Sequence, residues 1–136
     1  MKSQPERIRE AVTVRSANRD DAVDVACIYV DAWNVGSGDL MPRQWVTAEL
    51  GGRWQQELVR PVPQRWGVAE RPGTLVGFVG MGPSRDPIAP ELGELDTIAV
   101  DPSAWRTGIG RTLMAVALRH LTANGYREAV LWTLAR

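Results

Sequence analysis

The chain has 136 residues and 15.0 kDa, with 16 basic against 16 acidic side chains and a formal net charge of +0. That length predicts a single domain, 1–136, built round one core. The charge balance excludes a global field that would recruit nucleic acid or an anionic membrane. Lys2 is the sole lysine, so a lysine Schiff base or a P-loop lysine has no place in the body of the fold. Cys27 alone excludes an intramolecular disulfide, and with His120 as the single histidine no Cys/His set reaches the ligand number of a zinc site; no metal is expected. The charged N-terminus lacks an apolar core segment and no run approaches the ~18 apolar residues of a membrane span, so a cytoplasmic location is expected.

In chain order, residues 1–10 read as a polar lead-in, and Ala11 to Arg15 alternates as a first strand. Ser16 or Asn18 can cap a helix over Arg19 to Trp33, whose apolar positions recur at three- and four-residue spacing behind Asp20, Asp21 and Asp24. Asn34 to Asp39 reads as a loop by its Gly, Asn and Asp content. Pro42 opens a second helical pattern through Trp45, Val46, Leu50, Trp54 and Leu58. Gly51-Gly52, at roughly 1 kcal/mol per glycine relative to alanine, predicts a kink or two short helices.

Arg65 to Glu70 and Thr74 to Met81 predict a hairpin turning at Arg71-Pro72-Gly73. A loop from Gly82 to Pro90 leads to a strand over Glu91 to Val100, with Glu94, Asp96, Ile98 and Val100 expected on one side and Leu95, Thr97 and Ala99 on the other. Asp101-Pro102-Ser103 ends it. A helix face of Ile109, Leu113, Val116, Ala117 and Leu121 then runs to Asn124-Gly125, and Ala129 to Leu134 reads as a last strand. The order β-α-α-β-β-β-α-β predicts an α/β (α+β) fold, a mixed central sheet flanked by helices.

The chemistry concentrates in Asp101 to Arg111. Gly108 and Gly110 at a strand-to-helix turn let the backbone approach a ligand, and the first amides of the helix have no intrahelical acceptor. With Arg106 and Arg111 alongside, the turn can hold a phosphate or pyrophosphate, although a plain structural turn reads equally well from the glycines alone. The dinucleotide fingerprint fails at Leu113, where it needs glycine, and no Gly-Lys-Ser/Thr triplet occurs.

Val100-Asp101-Pro102 followed by Trp105-Arg106-Thr107-Gly108-Ile109-Gly110 resembles the acetyl-CoA motif of the GNAT superfamily of N-acetyltransferases: a strand ending in Val-x-Pro, then Arg/Gln-x-x-Gly-x-Gly/Ala opening a helix. Trp105 departs from it, standing where the family usually has Arg or Gln. The element order of nearly the whole chain also follows the family. The resemblance implies an acetyl-CoA-dependent N-acyltransferase using direct transfer to a primary amine of a small molecule or peptide. It further implies that residues 105–111, through Trp105, Arg106, Thr107, Gly108, Ile109, Gly110 and Arg111, hold the cofactor pyrophosphate. Main-chain groups of Ile98, Ala99 and Val100 would pair with the pantetheine arm, and an amide near Ile98 or Ala99 would polarise the acyl carbonyl.

By the same resemblance Glu94 is the first candidate for the base that deprotonates the acceptor, with Glu91 and Asp96 behind it. The resemblance also implies that Trp33, Met41 and Trp45 would border the acceptor pocket. Exposed rim residues are the competing reading for the acids, and plain packing for the tryptophans. Neither Tyr29 nor Tyr126 matches the family's thiol-protonating tyrosine, and the family's last helix and strand pair are missing after Arg136. The fold is therefore expected to be C-terminally incomplete, with the edge of the last strand, beside Trp132 and Leu134, open to pairing in a homodimer. The alternatives are a non-catalytic CoA-binding or regulatory module and an inactive fragment. Cys27 reads as a small core residue, and His120, late in the motif helix where a cation suits the dipole, as a surface or capping residue.

Overall fold

The structure is a computed structural model describing residues 12–86, 89 and 91–131. Strand β1 (Thr13–Ser16) leads through a 3-10 turn (Arg19–Asp21) into α1 (Ala22–Ser37) and α2 (Ala48–Leu58). Then follow β2 (Arg65–Arg71), β3 (Thr74–Pro83), β4 (Gly93–Val100), α3 (Ile109–Ala123) and β5 (Ala129–Leu131). The predicted order holds. The five strands form one sheet in the order β1-β2-β3-β4-β5, antiparallel except for the parallel β4–β5 pair.

The sheet separates two cores. Helices α1 and α2 cover one face, where Val25, Ala26, Ile28, Leu50, Trp54, Trp66 and Phe78 are buried; α3 covers the other with Ile109, Leu113, Ala117 and Leu121 against Val79, Met81 and Leu95. On the first face Trp66 lies over Gly80, where a Cβ would sit 2.4 Å from the indole, so only glycine admits the ring. Trp66, Trp54 and Phe78 then meet at 5.2–6.1 Å between centroids.

Side-chain chemistry accounts for the junctions. Asn18 and Asp21 form a reciprocal cap, Asp20 N–H donating to Asn18 Oδ1 (2.9 Å) and Asn18 N–H to Asp21 Oδ2 (2.8 Å). Arg15 donates to both oxygens of buried Asp21 at 2.8 and 2.9 Å and reaches Glu70 on β2 at 2.9 Å. The guanidinium holds the Asp21 carboxyl below the usual aspartate range, and the two acids raise Arg15 in turn.

Several sequence expectations are corrected. Asn34 to Ser37 are helical rather than looped, because the Asn34 amide clamps Gln44 through both its groups (2.8 and 2.9 Å) and Trp33 Nε1 donates to Pro42 O (3.2 Å), drawing residues 38–47 back along α1. Helix α2 begins at Ala48, capped by Thr47 Oγ1, and leaves Trp45 and Val46 exposed outside it. Gly51 and Gly52 lie inside one 11-residue helix whose Leu50, Trp54 and Leu58 are buried at four-residue spacing; packing of that stripe outweighs their poor propensity. Glu91 precedes β4. The expected alternation along β4 fails at a bulge: Gly80 faces Thr97 and Met81 faces Leu95, leaving Asp96 as the extra residue. Leu95 therefore shares the α3 face with Ile98 and Val100, while Asp96 opens toward α2. Ala11, Pro87, Ile88, Pro90 and Trp132 to Leu134 lie outside the described residues, and with them most of the expected dimerisation edge.

Candidate active site

Parallel pairing with β5 covers β4 from Gly93 to Leu95; beyond it, among the described residues, the edge of β4 from Asp96 to Val100 is unpaired. A cleft runs along this edge as three cavities that share walls. The first, of about 670 Å³, lies at the start of α3 between Ile98, Ala99, Val100, Trp105, Arg106, Gly110 and Arg111, with Ala32 of α1 opposite. The second, about 470 Å³, shares Ala32, Ile98 and Ala99 and adds Tyr29, Trp33, Asp96 and Thr97. A third, about 260 Å³, shares Tyr29, Asp96 and Thr97 and ends among Arg53, Trp54, Glu57, Trp66 and Arg85.

Backbone geometry dictates what the first cavity offers. Gly108 precedes α3 at φ +89° and Arg106 sits at φ +64°, so the turn is wound left-handed twice within three residues. The first α3 amide bonded along the helix is Thr112 N–H on Gly108 O (3.0 Å), which leaves Ile109, Gly110 and Arg111 as the orphan donors of the helix start. Arg106 and Arg111 are exposed beside them and enter no ion pair among the described residues. Ile109 itself is buried in the core and does not line the cavity, and Thr107 Oγ1 donates to Ala104 O (2.5 Å) rather than lining it.

The free edge of β4 has a definite polarity. Asp101 N–H bonds Val76 O on β3, and Val100 O takes the Trp105 indole N–H at 2.6 Å from the opposite side. In an antiparallel pair successive residues turn their N–H and C=O to alternate edges. Ile98 and Val100 therefore present theirs to the cleft, while Ala99 is turned to Phe78. Trp105, the departure from the family motif, ties the turn to β4 and occupies the Val100 carbonyl.

At the far end the carboxylates sort themselves. Glu94 is buried, accepts from Arg85 N–H at 3.1 Å and lines none of the three cavities. Asp96 lines two of them. Its carboxyl is pushed above the ordinary aspartate range by burial, opposed by the charge of Arg85 and by the Thr97 hydroxyl donating at 3.2 Å. Arg85 Nη2 bridges Asp96 Oδ2 (2.5 Å) and Glu57 Oε2 (3.1 Å). Trp33 reaches the cleft; Met41 and Trp45 line none of its cavities, and Trp45 is exposed with Arg43 stacked on it at 5.2 Å. Away from the cleft, burial raises the half-buried Cys27 thiol, which disfavours the thiolate. Burial and Arg65 lower His120, which disfavours its charged form.

A sequence profile described as "Acetyltransferase (GNAT) family" matches residues 23–135. The chain belongs to the acetyltransferase (GNAT) family. The uncharacterized N-acetyltransferase YuaI of Bacillus subtilis is 27% identical over 127 residues, spanning 90% of this chain and 72% of that protein. A mycothiol acetyltransferase of Thermomonospora curvata is 40% identical over 65 residues, 48% of this chain but 20% of that protein. Among solved structures, the PaiA N-acetyltransferase of Thermoplasma acidophilum in complex with coenzyme A superposes with a TM-score of 0.76 at 17% identity, covering 90% of this chain and 79% of that one. As a GNAT enzyme the chain is an acetyl-CoA-dependent acyltransferase. The lining of the first cavity has the chemistry such a donor needs: the orphan amides of Gly110 and Arg111 with two arginines suit a pyrophosphate, and the peptide-like edge of β4 suits an amide-bearing arm. No described helix is long and apolar enough to cross a membrane.

Sequence reasoning missed Ala32, Tyr29, Glu57 and Arg85. Ala32 had a signal, a small residue on the helix face nearest the motif. The other three come from elements far apart in the chain, and nothing in their local context marks them.

Proposed function

We propose that the enzyme acetylates a primary amine carried by a small molecule or peptide, with Asp96 as the general base. The observation that carries this reading is the continuity of the cleft: an anion cradle at 106–111, the open Ile98 edge and the desolvated Asp96 carboxylate follow one another along β4. Bound acetyl-CoA supplies an acyl thioester, whose carbonyl carbon is the electrophile. The Gly108 turn and the arginines bind the diphosphate; Ile98 C=O and Val100 N–H orient the arm, since Val100 O is already engaged by Trp105. Of the amides considered from sequence, Ile98 N–H is the one facing the cleft, so it donates to the acyl oxygen where charge develops.

An amine arrives as an ammonium and attacks only after losing a proton. Asp96, raised by burial, is a stronger base than an exposed aspartate and stands in the acceptor cavity; Glu94 supports it from behind by fixing the Arg85 backbone. Tyr29, Trp33 and Trp54 wall the pocket against water.

The test compares Asp96→Asn with Glu94→Gln in a thiol-release assay with acetyl-CoA and a panel of primary amines. Asp96→Asn should lower kcat/KM about 100-fold or more with calorimetric CoA binding unchanged, whereas Glu94→Gln should stay within about tenfold of wild type. The reverse ranking would assign the base to Glu94. Cofactor binding with no thiol release from any amine would favour the non-catalytic CoA-binding module.

A further inference from the structure

We propose that Arg85 is a displaceable cation of the acceptor pocket: its guanidinium occupies the seat on Asp96 that the acceptor's ammonium takes, so acceptor binding and the freeing of Asp96 are one event. The proposal deepens the reading of Asp96 as the base and rests on it for its catalytic meaning.

Three observations support it. First, the two acids that hold Arg85 are not equally dependent on it. Glu57 Oε2 also accepts from Arg60 Nη1 at 3.1 Å and Trp66 Nε1 at 3.3 Å, so it stays partnered when Arg85 leaves. Among the described residues, Asp96 Oδ2 has Arg85 as its cation, and Oδ1 has only the neutral Thr97 hydroxyl. Departure of the guanidinium therefore leaves an unpaired, desolvated carboxylate at Asp96 alone, a state that draws in another cation.

Second, Arg85 is built to move. Its side chain is 50% exposed against 15% for Asp96, and it borders both the acceptor cavity and a neighbouring cavity of about 350 Å³ lined by Arg60, Val62, Gln64 and Ser84. A long flexible side chain half in water leaves at a small desolvation cost.

Third, the charges count correctly. The groups facing Asp96 are Arg85 from the β3–β4 connection, Arg53 and Glu57 from α2, Tyr29 from α1, and Thr97 and Glu94 from β4. With Arg85 seated, Arg53, Arg85 and the Arg60 bonded to Glu57 balance Glu57, Asp96 and Glu94. With Arg85 out, one negative charge is uncompensated, which one ammonium satisfies. Arg85 also opposes the upward push of burial on Asp96. Once the guanidinium has left, Asp96 takes the proton of the seated ammonium, becoming a neutral carboxylic acid that burial favours, and the amine is left with a free lone pair.

The experiment uses the full chain with CoA bound and n-butylammonium as the probe. The Asp96 carboxyl carbon is titrated by NMR in wild type, Arg85→Met and Arg85→Lys. We expect the Asp96 midpoint to rise in Arg85→Met and return toward wild type in Arg85→Lys. The probe should bind Arg85→Met about threefold to tenfold more tightly than wild type, because a competing occupant is gone. In unmodified protein the Arg85 Nε–H signal should shift in step with probe binding, a readout independent of how well the variant folds. An unmoved Arg85 signal at saturating probe, weaker probe binding to Arg85→Met, or no response of Asp96 in any protein overturns the proposal. Asp96→Asn retaining full activity would remove the base assignment while leaving these binding results standing.

Discussion

The two ends of the cleft are built in opposite ways. In the proposed reading, recognition at the α3 end comes from main chain: the first amides of α3, the Ile98 edge and two left-handed turn residues, all within Ile98 to Arg111. At the α2 end it comes from side chains of four separate elements, Tyr29, Glu57, Arg85 and Asp96, held by ion pairs and aromatic contacts. Backbone donors depend on dihedral angles and tolerate sequence change; a side-chain constellation changes with any one member. A donor shared across a family suits the first design, and an acceptor that differs between members suits the second.

If the halves are separable, damage to one should spare the other. The largest effect is expected from Gly108→Val, which forces a β-branched residue to φ +89° at a cost of about 2–3 kcal/mol. The turn should leave its cradle geometry, weakening CoA binding roughly 30- to 100-fold by calorimetry with the Asp96 titration unchanged; a moved midpoint would show that the halves are coupled.

Next comes Asp21→Asn, at the junction of β1, β2 and α1, the helix that walls both halves. It leaves Arg15 without its buried partner and should cost about 2 kcal/mol in urea denaturation with CoA affinity retained. The pH dependence has a definite sign. Because the folded Asp21 carboxyl lies below the unfolded one, its stabilisation is present at neutral pH and lost as pH falls through the acid range, and Asp21→Asn should flatten that loss.

A smaller change is expected for Arg111→Ala: about 1 kcal/mol of CoA affinity, a fivefold loss that shrinks as salt rises, whereas the backbone share of binding persists. Smallest is Trp105→Phe, which keeps a ring and removes the donor to Val100 O. We expect CoA to bind about threefold more weakly as the turn loses its tie to β4, a difference that surface plasmon resonance resolves.

The cofactor half was readable because its signals are contiguous: Val100-Asp101-Pro102 stops a strand, and Gly108 and Gly110 open a helix whose Ile109, Leu113, Ala117 and Leu121 stripe does face the sheet. The acceptor half was readable only as a set of acids. Alternation placed Asp96 beside Ile98 and Val100, and a one-residue bulge that no local residue announces turned it toward α2 instead. Asn34 read as a loop former because its partner, the backbone of Gln44, is distant in sequence. Trp45 read as helix from spacing that packing did not use, and as pocket wall by resemblance alone.

Sequence alone determined the order of elements, the apolar stripe of α3 and the glycine turn that opens it, since each depends on periodicity or on dihedral preferences within a few residues. Tertiary structure decided which carboxylate opens into the cleft, which edge of β4 is free and where the Arg85 charge rests. These depend on strand register and on desolvation by distant neighbours, quantities defined only once the chain has closed on itself.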